Sequence, residues 1–222
     1  MLKAQSIHKK YGKTSVLNDV SFQVNSGEIV GLVGENGAGK STLLHIIATL
    51  QKATSGSVFL QDIAYKNKLK TVRKKIGFVP QEIAVWEDLT VEENMVFFEK
   101  LAWKNKTKAE LRQLCLDMEL DKWKEKVHTL SGGMKRKLNL AITLIHDPEL
   151  LLLDEPTVGI DLKSKQEIVS YLKRLAEEGK TIMYTSHDMD EIMQLCDYTY
   201  CLGDDPFYEK FLQERGQKVL TL

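Results

Sequence analysis

Apolar residues along this chain fall into short runs, each closed by a cluster of turn-forming residues. Ile29–Val33 and Leu150–Leu153 are almost continuously apolar, as strands buried on both faces of a parallel sheet tend to be. Residues 16–24 alternate only loosely, and 57–60, 76–79 and 181–185 are further short β-type runs. Turn clusters fall at 25–27, 34–39, 54–56, 131–133 and 178–179. Helical patterns follow several of the strands, over 40–50, 163–178 and 188–196. Strand, loop and helix in this succession predict an α/β fold around a mainly parallel sheet.

The middle of the chain has a different period. From Thr90 to about His146 no strand pattern occurs, only helical spacing. Thr90 and Glu93 have the spacing of a capping box, and Val91, Met95, Phe98 and Ala102 then recur at i, i+4, i+7 and i+11. This block, 86–146, is expected to be a helical lobe inserted into an α/β core made of 1–85 and 147–202. No repeat halves the chain, so 1–222 reads as one domain, with 203–222 a short tail. Phe207, Tyr208, Phe211 and Leu212 in that tail are expected to cover the core rather than to dock a partner.

Composition narrows the function. Lys and Arg total 31, Asp and Glu total 31, and the formal net charge is zero. Arg occurs only at 73, 112, 136, 174 and 215, which leaves little for bidentate phosphate or guanine contacts. A dedicated nucleic-acid binder is disfavoured, and no nucleic-acid partner is expected. No stretch approaches the roughly 18 apolar residues of a membrane span, and residues 1–13 lack the apolar middle of a signal peptide. Cys115, Cys196 and Cys201 are odd in number and not spaced like zinc ligands. They are expected to be buried free thiols of a cytoplasmic protein.

Chemistry enters at Gly34-Glu35-Asn36-Gly37-Ala38-Gly39-Lys40-Ser41-Thr42, which fits G-x-x-x-x-G-K-[ST] between an apolar strand and an amphipathic helix. Small residues let the backbone wrap a polyphosphate closely, and the positive end of the following helix adds to the inward N–H groups. Lys40 supplies a mobile cation for the β- and γ-phosphates, and the Ser41 hydroxyl can ligate magnesium. At the end of the run Leu150–Leu153 stand two carboxylates. Asp154 is placed to hold magnesium, and Glu155 to accept a proton from an attacking water. A third feature is Leu130-Ser131-Gly132-Gly133-Met134-Lys135-Arg136. Ser131 reads as a helix N-cap, two glycines leave the first amides bare, and Met134, Leu138, Ala141, Ile142 and Ile145 make one apolar face. A bare helix start is an anion site, yet the phosphate loop already accounts for the nucleotide.

Leu-Ser-Gly-Gly resembles the signature motif of the ATP-binding cassette family, and the likeness covers nearly the whole chain in family order. Tyr11 looks like the aromatic residue that stacks on adenine. Gln81, in Val-Pro-Gln, is similar to the residue linking magnesium and the attacking water to the helical lobe. Gly159-Ile160-Asp161 resembles the loop that meets the opposing subunit, and His187 the switch histidine near the γ-phosphate. The resemblance implies a P-loop NTPase core with an N-terminal antiparallel β part. It implies two copies, or a copy and a homologue, clasping ATP and Mg2+ head to tail, each triphosphate lying between the phosphate loop of one and Ser131-Gly132-Gly133 of the other. It also implies catalytic roles for Glu155, His187 and Gln81, with Ser41, Gln81 and Asp154 at the metal.

The implied protein is the ATP-hydrolysing subunit of a membrane transporter, peripheral on the cytoplasmic face and bound to a permease on a separate polypeptide. Met134, where the family usually has Gln, and Trp86-Glu87-Asp88 resemble a subgroup of exporters for drugs, lipids or polysaccharides. Trp86, Val91, Met95 and Phe98 are expected to include partner-facing positions. The rival is a soluble cassette ATPase acting on nucleic acid or ribosomes; a nucleotide-binding regulator that never hydrolyses is disfavoured by Glu155 and His187. One departure stands after His187: family members continue with a strand, a Gly turn and a strand, whereas 202–206 here run into a tail resembling nothing specific.

Overall fold

The computed structural model describes residues 1–222. Its first half comprises β1 (Leu2–Tyr11), β2 (Thr14–Val24), β3 (Ile29–Val33), α1 (Lys40–Ile47), β4 (Ser55–Leu60), β5 (Ile63–Ala64), α2 (Tyr65–Arg73) and β6 (Ile76–Val79). Three helices follow, α3 (Val91–Glu99), α4 (Lys108–Asp117) and α5 (Gly132–Thr143). The chain closes with β7 (Leu150–Leu153), α6 (Leu162–Glu177), β8 (Thr181–Thr185), α7 (Met189–Leu195), β9 (Tyr198–Cys201), α8 (Phe207–Gln213) and β10 (Val219–Thr221).

Two sheets organise these elements. One is antiparallel in the order β2-β1-β4-β5, and the other has the order β10-β9-β3-β8-β7-β6, with every pair parallel. The continuous apolarity of β7 has a direct cause, because successive strand residues point to opposite faces. Leu150 and Leu152 enter the core shared with the antiparallel sheet and α1, beside Leu2, Ile7, Val24, Leu43 and Ile47. Leu151 and Leu153 enter the opposite core, with Leu138 of α5, Ile168 of α6, and Met95 and Leu111 of the helical segment. The helices between Val91 and Thr143 thus share one apolar core with a face of the parallel sheet.

The capping box is present: the Thr90 hydroxyl accepts from the Glu93 amide at 3.1 Å, and Glu93 accepts from the Thr90 amide at 2.8 Å. Two expectations need correction. Helix α3 ends at Glu99, so Ala102 lies beyond it. Val91 and Met95 are fully buried and belong to the core, whereas Trp86 is 55% exposed; capping at Thr90 turns the Val91–Met95 ridge inward. Three free cysteines are buried as expected, and burial alone pushes the Cys115 thiol up to about 12.

After β9 the chain forms α8 and returns as β10 parallel to β9, with Val219 opposite Thr199. Leu212 of α8 is fully buried, and Tyr208 and Phe211 pack on the same core. No helix is long and apolar enough to cross a membrane.

Candidate functional site

Open parallel sheets bind ligands beyond the carboxyl ends of their strands, and the candidate residues collect there. The 34–42 loop leaves β3, Gln81 follows β6, Asp154 and Glu155 follow β7, and His187 follows β8. Strands β8, β7 and β6 are adjacent, and β3 lies beside β8.

The phosphate loop requires its glycines. Gly34 has φ 147°, and a Cβ there would stand 2.0 Å from the Leu202 carbonyl oxygen. Gly39 has φ 101°, and a Cβ there would meet Leu17 of β2 at 2.8 Å. The antiparallel sheet therefore presses directly on the loop. Gly39 precedes α1 with no side-chain cap, so the first helical amides are bare. Lys40 is buried and donates to the carbonyls of Gly34 (2.7 Å) and Glu35 (3.0 Å). Burial pulls its pKa down, opposed by the carboxylates of Glu155, Asp154 and Glu35. A lysine folded onto its own loop beside bare amides is a cradle matched to a polyphosphate.

Facing it, Asp154 is buried and accepts from the Thr185 hydroxyl at 2.9 Å. Glu155 adopts φ 47°, a left-handed conformation held by its backbone N–H, which donates to the same Thr185 hydroxyl oxygen at 2.9 Å. Such strain in a non-glycine residue costs about 1–3 kcal/mol and persists where the surroundings over-determine it. The Glu155 carboxylate lies 2.7 Å from His187 Nε2 and accepts from Gln81 Nε2 at 3.2 Å. All three proposed catalytic side chains therefore meet.

Tyr11 is 46% exposed at the tip of the β1–β2 hairpin and donates to Gln51. Its ring faces the Lys9 ammonium at 4.8 Å. Ser131 caps α5, accepting from the Met134 amide at 3.3 Å. Gly133 has a role that the sequence did not suggest, because its Cβ would lie 2.2 Å from Ser164 Oγ and 2.8 Å from Asp161 Oδ2. It permits the close approach of α5 to the start of α6. A Cβ on Gly132 would lie 3.8 Å from the Gly159 carbonyl oxygen. Ser131-Gly132-Gly133 thus assembles with the 159–161 loop, and no hydrogen bond joins it to the 34–42 loop.

Sequence reasoning also missed a buried hub. Glu191 is 2% exposed and accepts from Tyr184 (2.7 Å), Thr157 (2.9 Å) and Ser186 (2.7 Å). It ties the loop after Glu155 to the segment before His187. The only sequence signal was Glu191 itself, an acidic residue on an otherwise apolar helical face.

A family described as ABC transporter matches residues 17–158. The chain belongs to the ABC transporter family. Its cassette is 42% identical over 202 residues to the linearmycin resistance ATP-binding protein LnrL of Bacillus subtilis, covering 89% of this chain and 64% of that protein. It is 38% identical to the Nod factor export ATP-binding protein I of Rhizobium etli, covering 86% of this chain and 61% of the relative. The cassette therefore spans somewhat less than two thirds of these relatives. Among solved structures, the dimeric MJ0796, a bacterial ABC transporter cassette, superposes with TM-score 0.81 at 30% identity, covering 91% of this chain and 94% of that one. A dimeric post-hydrolysis state of MJ0796 bound to ADP and Pi superposes with TM-score 0.79. The expected α/β P-loop cassette, with its antiparallel N-terminal sheet and parallel main sheet, is the fold observed.

Proposed function

We propose that this cassette is the ATP-binding and ATP-hydrolysing subunit of a membrane exporter, acting as a pair of copies against a membrane-spanning permease on a separate polypeptide. The observation that carries the reading is the meeting of Gln81 and His187 on Glu155, opposite Lys40. In this reading Tyr11 stacks on adenine, and the backbone of Gly34-Glu35-Asn36-Gly37-Ala38-Gly39 with Lys40, Ser41 and Thr42 holds the phosphates. Glu155 takes the proton of the attacking water, and His187 and Gln81 orient the carboxylate and the γ-phosphate.

No cluster of three His, Cys, Asp or Glu side chains forms a metal cage. A buried carboxylate whose charge acts on Lys40, the residue before Ser41, suits magnesium, which takes few protein ligands alongside phosphate oxygens. Asp154, Ser41 and Gln81 would hold it, and Mg2+ would supply charge neutralisation between the β- and γ-phosphates.

The separation of the Ser131-Gly132-Gly133 half-site from the phosphate loop supports a head-to-tail pair in which Ser131 of the partner subunit completes the pocket. Trp86 and Phe97, 55% and 40% exposed with ring centroids 6.0 Å apart, offer an apolar contact to the permease. The exporter direction rests on the names of the relatives, and the site on the cytoplasmic face of the membrane follows from it. Phosphate release by the cassette copurified with its membrane partner tests the proposal: Glu155→Gln is expected to lower the rate at least 100-fold, and an unchanged rate overturns it.

A further inference from the structure

Arg136 lies one and a half turns into α5, is 2% exposed, and has no carboxylate partner. Burial without a counter-ion pulls its pKa down. A lone buried cation is costly, so what the guanidinium touches is informative. It donates to the carbonyls of Pro80 (2.7 Å) and Gln81. Residues 80–85 make no backbone–backbone hydrogen bond, and these two donations are the only hydrogen bonds to their main chain. The segment that aims Gln81 at Glu155 is thus tethered to α5 by one side chain.

Helix α5 begins at Gly132, capped by Ser131, and Ser131-Gly132-Gly133 makes no hydrogen bond to this chain's own phosphate loop. We infer that Arg136 is a positioning residue that ties Gln81 to the helix capped by Ser131, so that engagement of this helix by the partner subunit's nucleotide sets Gln81 against Glu155. The inference rests on the proposed two-copy ATPase. It deepens that reading by assigning a link through which one composite site reports on the other. The link is a bidentate fork to two consecutive carbonyls, a geometry that Arg provides and Lys does not.

The test uses Arg136→Met, which removes the buried charge at similar volume, and Arg136→Lys, which keeps a charge without the fork. Cleavage after the exposed Glu82 by a glutamate-specific protease, in the Glu155→Gln background with Mg-ATP, reads the tether without hydrolysis. Arg136→Met is expected to speed cleavage there at least 10-fold while leaving cleavage elsewhere in the chain unchanged. In the hydrolysing protein, kcat is expected to fall at least 10-fold for Arg136→Met and less for Arg136→Lys, with KM for ATP within 3-fold and the Hill coefficient falling toward 1. If Glu82 is cleaved as in the parent, or if kcat falls only alongside lost ATP binding and a lower Tm in both variants, the inference fails. A parent that does not hydrolyse ATP at all defeats the proposed function instead, while the cleavage result still judges the tether.

Discussion

At the scale of single residues, the site is built from buried polar groups whose partners are fixed by strand ends. Lys40 already satisfies its ammonium on the Gly34 and Glu35 carbonyls, so in the proposed function nucleotide binding would exchange these bonds for charged ones rather than create order anew. Hydrogen bonds to charged groups are worth about 1.5–3 kcal/mol. Lys40→Ala is therefore expected to weaken binding of a fluorescent ATP analogue about 10- to 100-fold with little change in Tm. Glu191 is the contrasting case, because it lies outside the proposed machinery and its loss removes the carboxylate acceptor of three buried hydroxyls. We expect Glu191→Ala to cost about 3 kcal/mol, seen as a fall in Tm of about 2–4 °C per kcal/mol in thermal unfolding, while analogue binding stays within 3-fold.

At the scale of elements, contacts between helices set the geometry that the loops inherit. Gly133→Ala would drive a methyl into Ser164, and overpacking of this kind costs about 1–3 kcal/mol. Its Tm is expected to fall, and Gly133→Ala with Ser164→Gly to recover most of the loss; equal Tm values for single and double variants would contradict the packing argument. On the far side of the sheet, Asp147 joins the α3–α4 connection to the loop before β8, accepting from Lys104 and Lys180 at 2.7 Å each. Lys104 first and Lys180 second hold its carboxyl at about 2, below the usual 3.8. A depressed folded pKa means stabilisation that is complete above about pH 4 and fades as pH falls through about 2. The Tm gap between the parent and Asp147→Asn should be constant from pH 5 to 7 and close below about pH 3.

The same scale explains what the sequence disclosed. Strands β3 and β7 were legible because both faces are buried. The pattern of β9, Tyr198–Cys201, mixes Tyr, Thr and Cys and hides an equally buried strand. Helix α2 was illegible because only Tyr65 and Val72 are buried in it, leaving no apolar stripe. The phosphate loop, Asp154 and Glu155 were readable because each follows an apolar strand directly, whereas His187 was singled out only by the family resemblance. Thr185, Glu191 and Arg136 act through contacts between distant segments, and no local spacing announces those.

At the scale of the whole molecule, the proposed function assigns the nucleotide two contact segments that no hydrogen bond joins within one chain. Loop 34–42 lies at the end of β3, and Ser131-Gly132-Gly133 lies against 159–161. The neutral net charge leaves no long-range repulsion to oppose pairing of identical copies. Trapping the pair is the most direct test. Glu155→Gln, incubated with Mg-ATP and examined by sedimentation equilibrium, is expected to run at twice the 25.3 kDa of one chain, and to return to one chain when the nucleotide is ADP or when Lys40→Ala is added. A single-chain mass at saturating Mg-ATP, with the nucleotide bound, would contradict the account.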